Sequence, residues 1–371
     1  MNPPRSTVAV VRSNNRRGAV AEALALIAAE IANPLAPEVM VLPDFTSPRQ
    51  PWAWTQPDAL SATLDGLFSW GTDQVAVQSP DDWTLDRSRF RPETFGRAVR
   101  HQFASDRNET NAWTGVELDP GDGRPVSVRV IRPGAFVSIA TMKTAATSSV
   151  ALGLVNLLSL VHPEDRAAIE PTHRKPRGGR SVADLLGGGF ARIRGRALRF
   201  AESFSNRNDP DVWRKFGPNE IALLEQAERS SRLIAGLAAF ARPVLSVVDG
   251  FHAMHREGPR HGESIRLGVV VAGSDPVAVD AVAAMVMGFH PTEIAHLERV
   301  KAEGLGEIDL DSIAIVGDSL ASVRRCSVPH SNQKILRHAS RLSNLVPPTK
   351  RDSIIPAPHS RPARSSNPVR G

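Results

Sequence analysis

The chain has 371 residues, 41% of them hydrophobic, which is enough for the core of one large or two ordinary domains. It has no Tyr and only one Cys, Cys326, which excludes tyrosine chemistry, a disulfide framework and a cysteine-ligated iron–sulfur cluster in one chain. The net charge is +6, but ten Lys/Arg and one Asp fall in residues 324–371, which leaves −3 on the rest. We therefore expect nucleic acid to be at most a weak partner of a basic tail.

The first half of the chain alternates strand and helix patterns. Ser6–Ser13 reads as a strand, Gly18–Ile31 as an Ala-rich helix, and residues 38–44 as a second strand. A helix follows over residues 57–70, with Pro57 suited to its first turn, and a third strand over residues 73–82. This order is typical of an α/β fold with a largely parallel sheet.

The second half is less regular at first and then returns to the same pattern. We predict a short helix near Phe95–Phe103 in an irregular stretch, a strongly apolar helix over residues 147–161, and a charged loop up to residue 180. Further elements are a helix opened by Ser181, a long helix over residues 219–241, strands over 243–249, 265–273 and 311–319, and helices over 276–288 and 291–304.

These patterns predict one α/β domain over residues 1–323, with a mostly parallel sheet flanked by helices. Residues 324–371 are rich in Ser, Pro and Arg and poor in apolar anchors, so we predict a disordered basic tail there. No stretch resembles a secretory signal or reaches the length of a membrane span, so we expect a cytoplasmic protein without a membrane partner.

Polar residues follow several of the predicted strands, where ligands of open α/β sheets bind. Lys143 follows an apolar run and precedes a turn of small residues, which suits an anion cradle as well as a solvated lysine. Asp249 ends another run. Asp280 lies inside an almost wholly apolar helix, so it needs either a buried structural hydrogen bond or a role in a site. Asp275 fits a helix N-cap, with Pro276 as the first helical residue.

Three histidines, His252, His255 and His261, follow Asp249 in a predicted loop. Their spacing is compatible with a metal site, but the sequence has no His-Glu-x-x-His motif and no second Cys to support one. Solvent-facing loop histidines are the simpler interpretation. Two carboxylates and a lysine at one rim would instead suit a divalent cation such as Mg²⁺ or Mn²⁺, which prefers oxygen ligands.

The segment "VVDGFHAMHREGPRHGESIRLGVVVAGSDPVAVDAVAAMVMGFHPTEI" resembles the core of the domain of unknown function 362 family. The resemblance rests on an Asp-Gly after a strand, a Met, Gly-Pro and Gly, and a "DPVAVDAV" helix. Upstream, "MKTAATSSVALGLVNLL" is similar to the family's lysine-threonine-histidine segment and the helix after it. The residues that fill family positions and that we predict to contact a ligand are Thr144, Asn156, His173, Gly258, Gly262 and Asp275.

The chain departs from this family pattern at two polar positions. The motif histidine is Ala145 here, and the lysine before the retained Asn156 is Val155. Many relatives also carry a ferredoxin-type cysteine module, which this chain lacks. The resemblance thus implies a fold and leaves two hypotheses for function. The first is an enzyme, or diverged enzyme, that acts on a small anionic molecule with Lys143, Asp249 and Asp280 as catalytic groups. The second is a non-catalytic ligand-binding or regulatory protein.

Overall fold

The computed structural model describes residues 6–31, 35–46, 50–79, 99–103, 113–119, 125–131, 135–162, 165 and 216–343. It confirms the predicted α/β class, because the central sheet is mostly parallel and is flanked by helices. Its strands are β1 (Ser6–Arg12), β2 (Glu38–Pro43), β3 (Gln74–Ser79), β4 (Val99–Phe103), β5 (Trp113–Leu118), β6 (Val126–Ile131), β7 (Ala135–Ala145), β8 (Ser149–Ala151), β9 (Leu245–His255), β10 (Glu263–Ile265), β11 (Val269–Gly273) and β12 (Ile313–Gly317).

The main path of the sheet runs β12-β1-β11-β9-β7-β2-β3-β4, with β10 added to β9 and β8 to β7. All strands on this path run parallel except β11, which is antiparallel to both of its neighbours. Strands β5 and β6 form a separate antiparallel pair. The strands on the main path, apart from β11, therefore end at one common edge, here called the carboxyl edge, where β11 begins.

Helices cover both faces of the sheet. They are α1 (Arg16–Ile31), α2 (Pro57–Ser69), α3 (Gly153–Asn156), α4 (Pro218–Ala241), α5 (Pro276–Val286), α6 (Ala295–Ala302), α7 (Leu320–Val323) and α8 (Gln333–Ser343). One core lies between the sheet and α1 and α2, and the other lies on the opposite face with α3, α4 and α5. The face with α1 and α2 is called the front face below, and the other is the back face. Since strand residues alternate between faces, each strand contributes side chains to both cores.

Several predicted elements differ in the structure. Residues 99–103 form strand β4 rather than the end of a helix, and they extend the sheet beside β3. The apolar stretch 147–161 is not one helix: it contains β8, the single turn α3 and a 3₁₀ turn at Leu157–Leu160. Apolar side chains all along this stretch are buried, and periodicity alone does not separate a buried helix from a buried irregular segment. The predicted helix opened by Ser181 lies outside the described residues.

The predicted boundary of the tail at residue 324 is wrong. Helix α8 packs against α4 and α6, and Leu336 is buried in a small cluster with Leu224 and Ala227. The backbone before α8 is also tied to the body, because the Ser327 N–H donates to the Met287 carbonyl over 2.9 Å. A few apolar residues anchor this segment despite its basic composition. Residues 344–371 lie outside the described residues, so disorder there stays a prediction, as does the division into a single domain.

Among the described residues, no helix is both long enough and apolar enough to cross a membrane.

Candidate functional site

The first βα turn of the fold lies at the carboxyl edge of the sheet and brings Arg16 over Asp249 in the middle of β9. Strand β1 ends at Arg12, and α1 begins at Arg16. Arg16 Nε lies 3.0 Å from Asp249 Oδ2, and the two side chains are 13% and 1% exposed. The contact is an ion pair rather than an aligned hydrogen bond, because neither of these two atoms has a hydrogen-bond partner in the part of the chain that the structure describes. Asp249 therefore holds a guanidinium group at the edge.

An aromatic ring and a second arginine complete this arrangement. The guanidinium carbon of Arg16 lies 4.7 Å from the centre of the Phe251 ring, and that of Arg266 lies 5.2 Å from it. Both distances are in the range of cation–π contacts. Arg266 also donates to the Asn14 side-chain oxygen over 3.1 Å, which links it to the turn before α1. We call Arg16, Asp249, Phe251, His252 and Arg266 the arginine cluster.

The start of α1 adds backbone donors beside Arg16. The Asn15 side chain accepts the Gly18 N–H over 3.2 Å, and the Asn15 carbonyl accepts the Ala19 N–H over 2.9 Å. The N–H groups of Arg16 and Arg17 come before these in the first turn, where intrahelical partners are absent by geometry. A helix N-terminus also carries a positive partial charge, which favours anions.

The charges in the arginine cluster oppose one another. Burial raises the pKa of the Asp249 carboxyl. Two contacts partly offset this increase in pKa: the nearby charge of Arg16, and the Phe251 N–H, which donates to the carboxylate over 2.8 Å. His252 has its ring 5.4 Å from the Phe251 ring. Burial and the charges of Arg16 and Arg266 lower the pKa of His252, and Asp249 opposes them. The cluster thus places two permanent cations and one carboxylate around a histidine that resists protonation.

Lys143 lies on the same face and edge as Asp249 but has a different partner. Val137 and Ile139 of β7 belong to the front core, so alternation puts Thr141 and Lys143 on the front face as well. The Lys143 ammonium pairs with Asp44, which follows β2, and also donates to the Thr141 carbonyl over 3.1 Å. Lys143 is 1% exposed and Asp44 is 3% exposed. This is a buried ion pair, in which each group compensates the charge of the other.

Asp280 lies on the opposite side of the sheet from Lys143 and Asp249. Helix α5 belongs to the back core, and the two carboxylate oxygens of Asp280 accept the N–H groups of Gly153 and Leu154 over 2.9 and 2.8 Å. Burial raises the pKa of Asp280 to about 7, against the lowering effect of these two hydrogen bonds. Asp280 thus caps the single turn α3, which is a structural role.

The antiparallel direction of β11 explains why the three predicted catalytic residues do not surround one cleft. The expectation of a common rim assumed that the strand before Asp275 was parallel. Because β11 runs the other way, Asp275 lies at the amino edge of the parallel strands, where it accepts the Ser6 hydroxyl over 2.7 Å. Asp275 also caps α5, since it accepts the Val277 and Ala278 N–H groups. The structure brings Lys143 and Asp249 to one edge and separates both from Asp280.

The other predicted ligand contacts also have structural partners. Strand β9 extends through the predicted loop to His255, and the turn after it packs on the end of β7. There the Thr144 hydroxyl donates to the Arg256 carbonyl over 2.8 Å. A side chain at Gly258 would collide with the Thr144 backbone, and one at Gly262 with that of His255.

Two further predicted contacts lie elsewhere. Asn156 is on the back face, where it donates to the Leu42 carbonyl over 3.0 Å. His173 lies outside the described residues. The structure also shows where the two residues that depart from the family pattern lie. Ala145 is buried at the end of β7, and Val155 packs against the back core.

The histidines after Asp249 do not converge. His261 is exposed, and His255 Nε2 lies 4.0 Å from Glu263 while its Nδ1 accepts the Val328 N–H over 3.3 Å. Within the residues that the structure describes, no group of three or more His, Cys, Asp or Glu side chains is arranged to hold a metal ion. A divalent cation therefore stays a prediction without structural support.

Arg16 and Arg266 are not among the site residues predicted from the sequence. The signal for Arg16 was present, because "RSNNRRG" connects the first strand to the first helix, where α/β folds bind anions. No local sequence pattern indicates Arg266, because it lies between β10 and β11. It approaches Arg16 in the fold, where both side chains contact the Phe251 ring.

The chain matches a known protein family. A family model described as a domain of unknown function (DUF362) matches residues 39–285, which is more than half of the chain. This range contains β2 except its first residue, all of β3 to β11, and most of α5. It includes Asp249, Phe251, His252 and Arg266, whereas Arg16 precedes it. A comparison with curated proteins found no match.

Proposed function

This chain belongs to the DUF362 family, and on that premise we propose that it binds a small anionic molecule at the arginine cluster on the carboxyl edge of the sheet. The family match carries no reaction or ligand, so the proposal rests on the geometry of the cluster. Turnover of the bound molecule stays a prediction from the sequence.

The observation that carries the proposal is the state of Arg16. One guanidinium nitrogen, Nε, is committed to Asp249, and the flat face lies over Phe251. The side chain is still 13% exposed, and its two terminal nitrogens have no hydrogen-bond partner among the described residues. A guanidinium held in a fixed orientation with free terminal donors suits a carboxylate or phosphate group, which accepts two parallel hydrogen bonds.

The surroundings of Arg16 also favour an anion. Arg266 lies on the same ring, and the first N–H groups of α1 lie beside Arg16. In an open α/β sheet this is the usual region for a ligand, because the loops after parallel strands meet there. The proposed ligand is small, since a few side chains and one helix terminus form the contact surface.

The test is binding of sulfate or inorganic phosphate, measured by titration calorimetry on Arg16→Gln, Arg266→Gln and Arg17→Gln variants. Arg17 is the matched control: it is the next residue, loses the same charge, and pairs with Asp65 through exposed side chains. Loss of a charge-assisted hydrogen bond weakens binding by about 10- to 100-fold, from roughly 1.5–3 kcal/mol per contact. We expect this for Arg16→Gln and Arg266→Gln, and a much smaller effect for Arg17→Gln.

The Arg266→Gln variant controls for loss of binding through misfolding, because it leaves the ion pair between Arg16 and Asp249 intact. Equal weakening in all three variants would mean that the anion responds to overall charge, and the proposed site would be wrong. Absence of binding by the unmodified protein would also contradict it.

A further inference from the structure

His252 is the histidine of the arginine cluster, and imidazole is the side chain whose unperturbed pKa lies closest to neutral pH. It follows Phe251 on β9, and its ring lies 5.4 Å from that of Phe251, which Arg16 and Arg266 also contact. The charged groups around it are Arg16 on α1, Arg266 before β11, and Asp249 on β9. Two of these are cations, so the cluster disfavours a further positive charge on His252.

A bound anion reverses this balance. Before binding, burial and the two arginines lower the pKa of His252, so its imidazole is mostly neutral at pH 7. An anion between the arginines offsets their charges and adds negative charge close to the ring. Both changes favour the imidazolium form, because opposite charges at short range stabilise the charged state.

We propose that His252 takes up a proton when a dianion binds at the arginine cluster, so that the protein binds phosphate-type dianions more tightly as the pH falls. This inference rests on the proposed function, since it concerns the same site. It also narrows the class of ligand to dianions, because a third positive charge increases the affinity for a dianion more than the affinity for a monoanion.

The direction of the effect follows from linkage. If the bound state has the higher pKa at His252, then binding is accompanied by proton uptake between the two pKa values. Affinity is then lowest above the higher pKa and highest below the lower one. Each unit by which the dianion raises the pKa makes the low-pH affinity about tenfold higher than the high-pH affinity.

The experiment is titration calorimetry of the full chain with sulfate at pH 5.5, 6.5, 7.5 and 8.5, in two buffers that differ in ionisation enthalpy. Sulfate remains a dianion over this range, so a buffer-dependent heat reports protons bound by the protein. The variants are His252→Gln and, as the matched control, His255→Gln. His255 lies on the same strand, and burial likewise lowers the pKa of its ring, but Arg256 and Glu263 rather than the arginine cluster surround it.

We expect proton uptake and a rise in affinity of about tenfold at low pH in the unmodified protein and in His255→Gln, and neither in His252→Gln. Sulfate binding without proton uptake, or uptake that persists in His252→Gln, would overturn the inference and leave the proposed function standing. Absence of sulfate binding at every pH would overturn both.

Discussion

Asp280 offers a direct test of the structural role assigned to it, through the pH dependence of stability. Burial raises the pKa of this carboxyl from 3.8 to about 7 in the folded protein. The folded state therefore binds a proton more tightly than the unfolded chain does. The contribution of Asp280 to stability is therefore largest below about pH 4, falls as the pH rises from 4 to 7, and is constant above that, because Asp280 is then deprotonated in both states.

The size of this effect follows from the two pKa values. A difference of about 3 units corresponds to roughly 4 kcal/mol of folding free energy lost between the two plateaus. The perturbation that isolates it is Asp280→Asn, which does not titrate. Asn keeps one oxygen for either Gly153 or Leu154, while its NH₂ group faces the other N–H donor. That mismatch costs about 1–3 kcal/mol and does not depend on pH.

The assay is urea unfolding of both proteins from pH 4 to pH 8. We expect Asp280→Asn to be less stable than the unmodified protein at pH 4 and to become equal or more stable at pH 8. The exposed Asp65→Asn variant controls for general effects of losing a carboxylate. A stability difference between the Asp280→Asn and unmodified proteins that stays flat over this range would show that Asp280 does not titrate as its burial implies.

Three further substitutions test the packing. Gly153→Ala is expected to destabilise by about 1–3 kcal/mol, because its Cβ would lie 2.5 Å from Ser246 Oγ; an unchanged melting temperature would contradict the close packing. Glu228→Gln removes the carboxylate 2.6 Å from the fully buried Arg299, and we expect a loss of about 3–5 kcal/mol in urea unfolding, which a neutral result would refute. Leu336→Ala is expected to reduce the free energy of unfolding by about 2–5 kcal/mol and to lower the melting temperature. An unchanged melting temperature would instead support a tail that begins at residue 324.

The alternation of apolar strands and helices was sufficient to predict the α/β class from the sequence. Runs such as "STVAVVR" and "VVVAG" are short, apolar and bounded by turn residues, which suits strands buried on both faces. The family resemblance was equally local, because it depends on the order of residues in one continuous segment. The N-cap role of Asp275 was also predicted from its neighbours, since capping is a contact within one turn.

The direction of β11 was decided only by the tertiary structure, and the predicted site depended on it. A strand's own sequence does not tell whether its neighbour runs parallel or antiparallel, because that choice depends on the connections and on which strands meet. One reversed strand moved Asp275 to the amino edge, and the back-face packing of α5 put Asp280 behind the sheet.

The partners of the charged residues were likewise decided by the fold. Lys143 pairs with Asp44 and Asp249 with Arg16, although about 100 and more than 200 residues separate them along the chain. The sequence showed that buried charges needed partners, because burial without one is costly. Which partner each received depended on the order of strands in the sheet, which places the end of β2 beside β7 and the first βα turn beside β9. That order brought Arg16, Phe251 and Arg266 together.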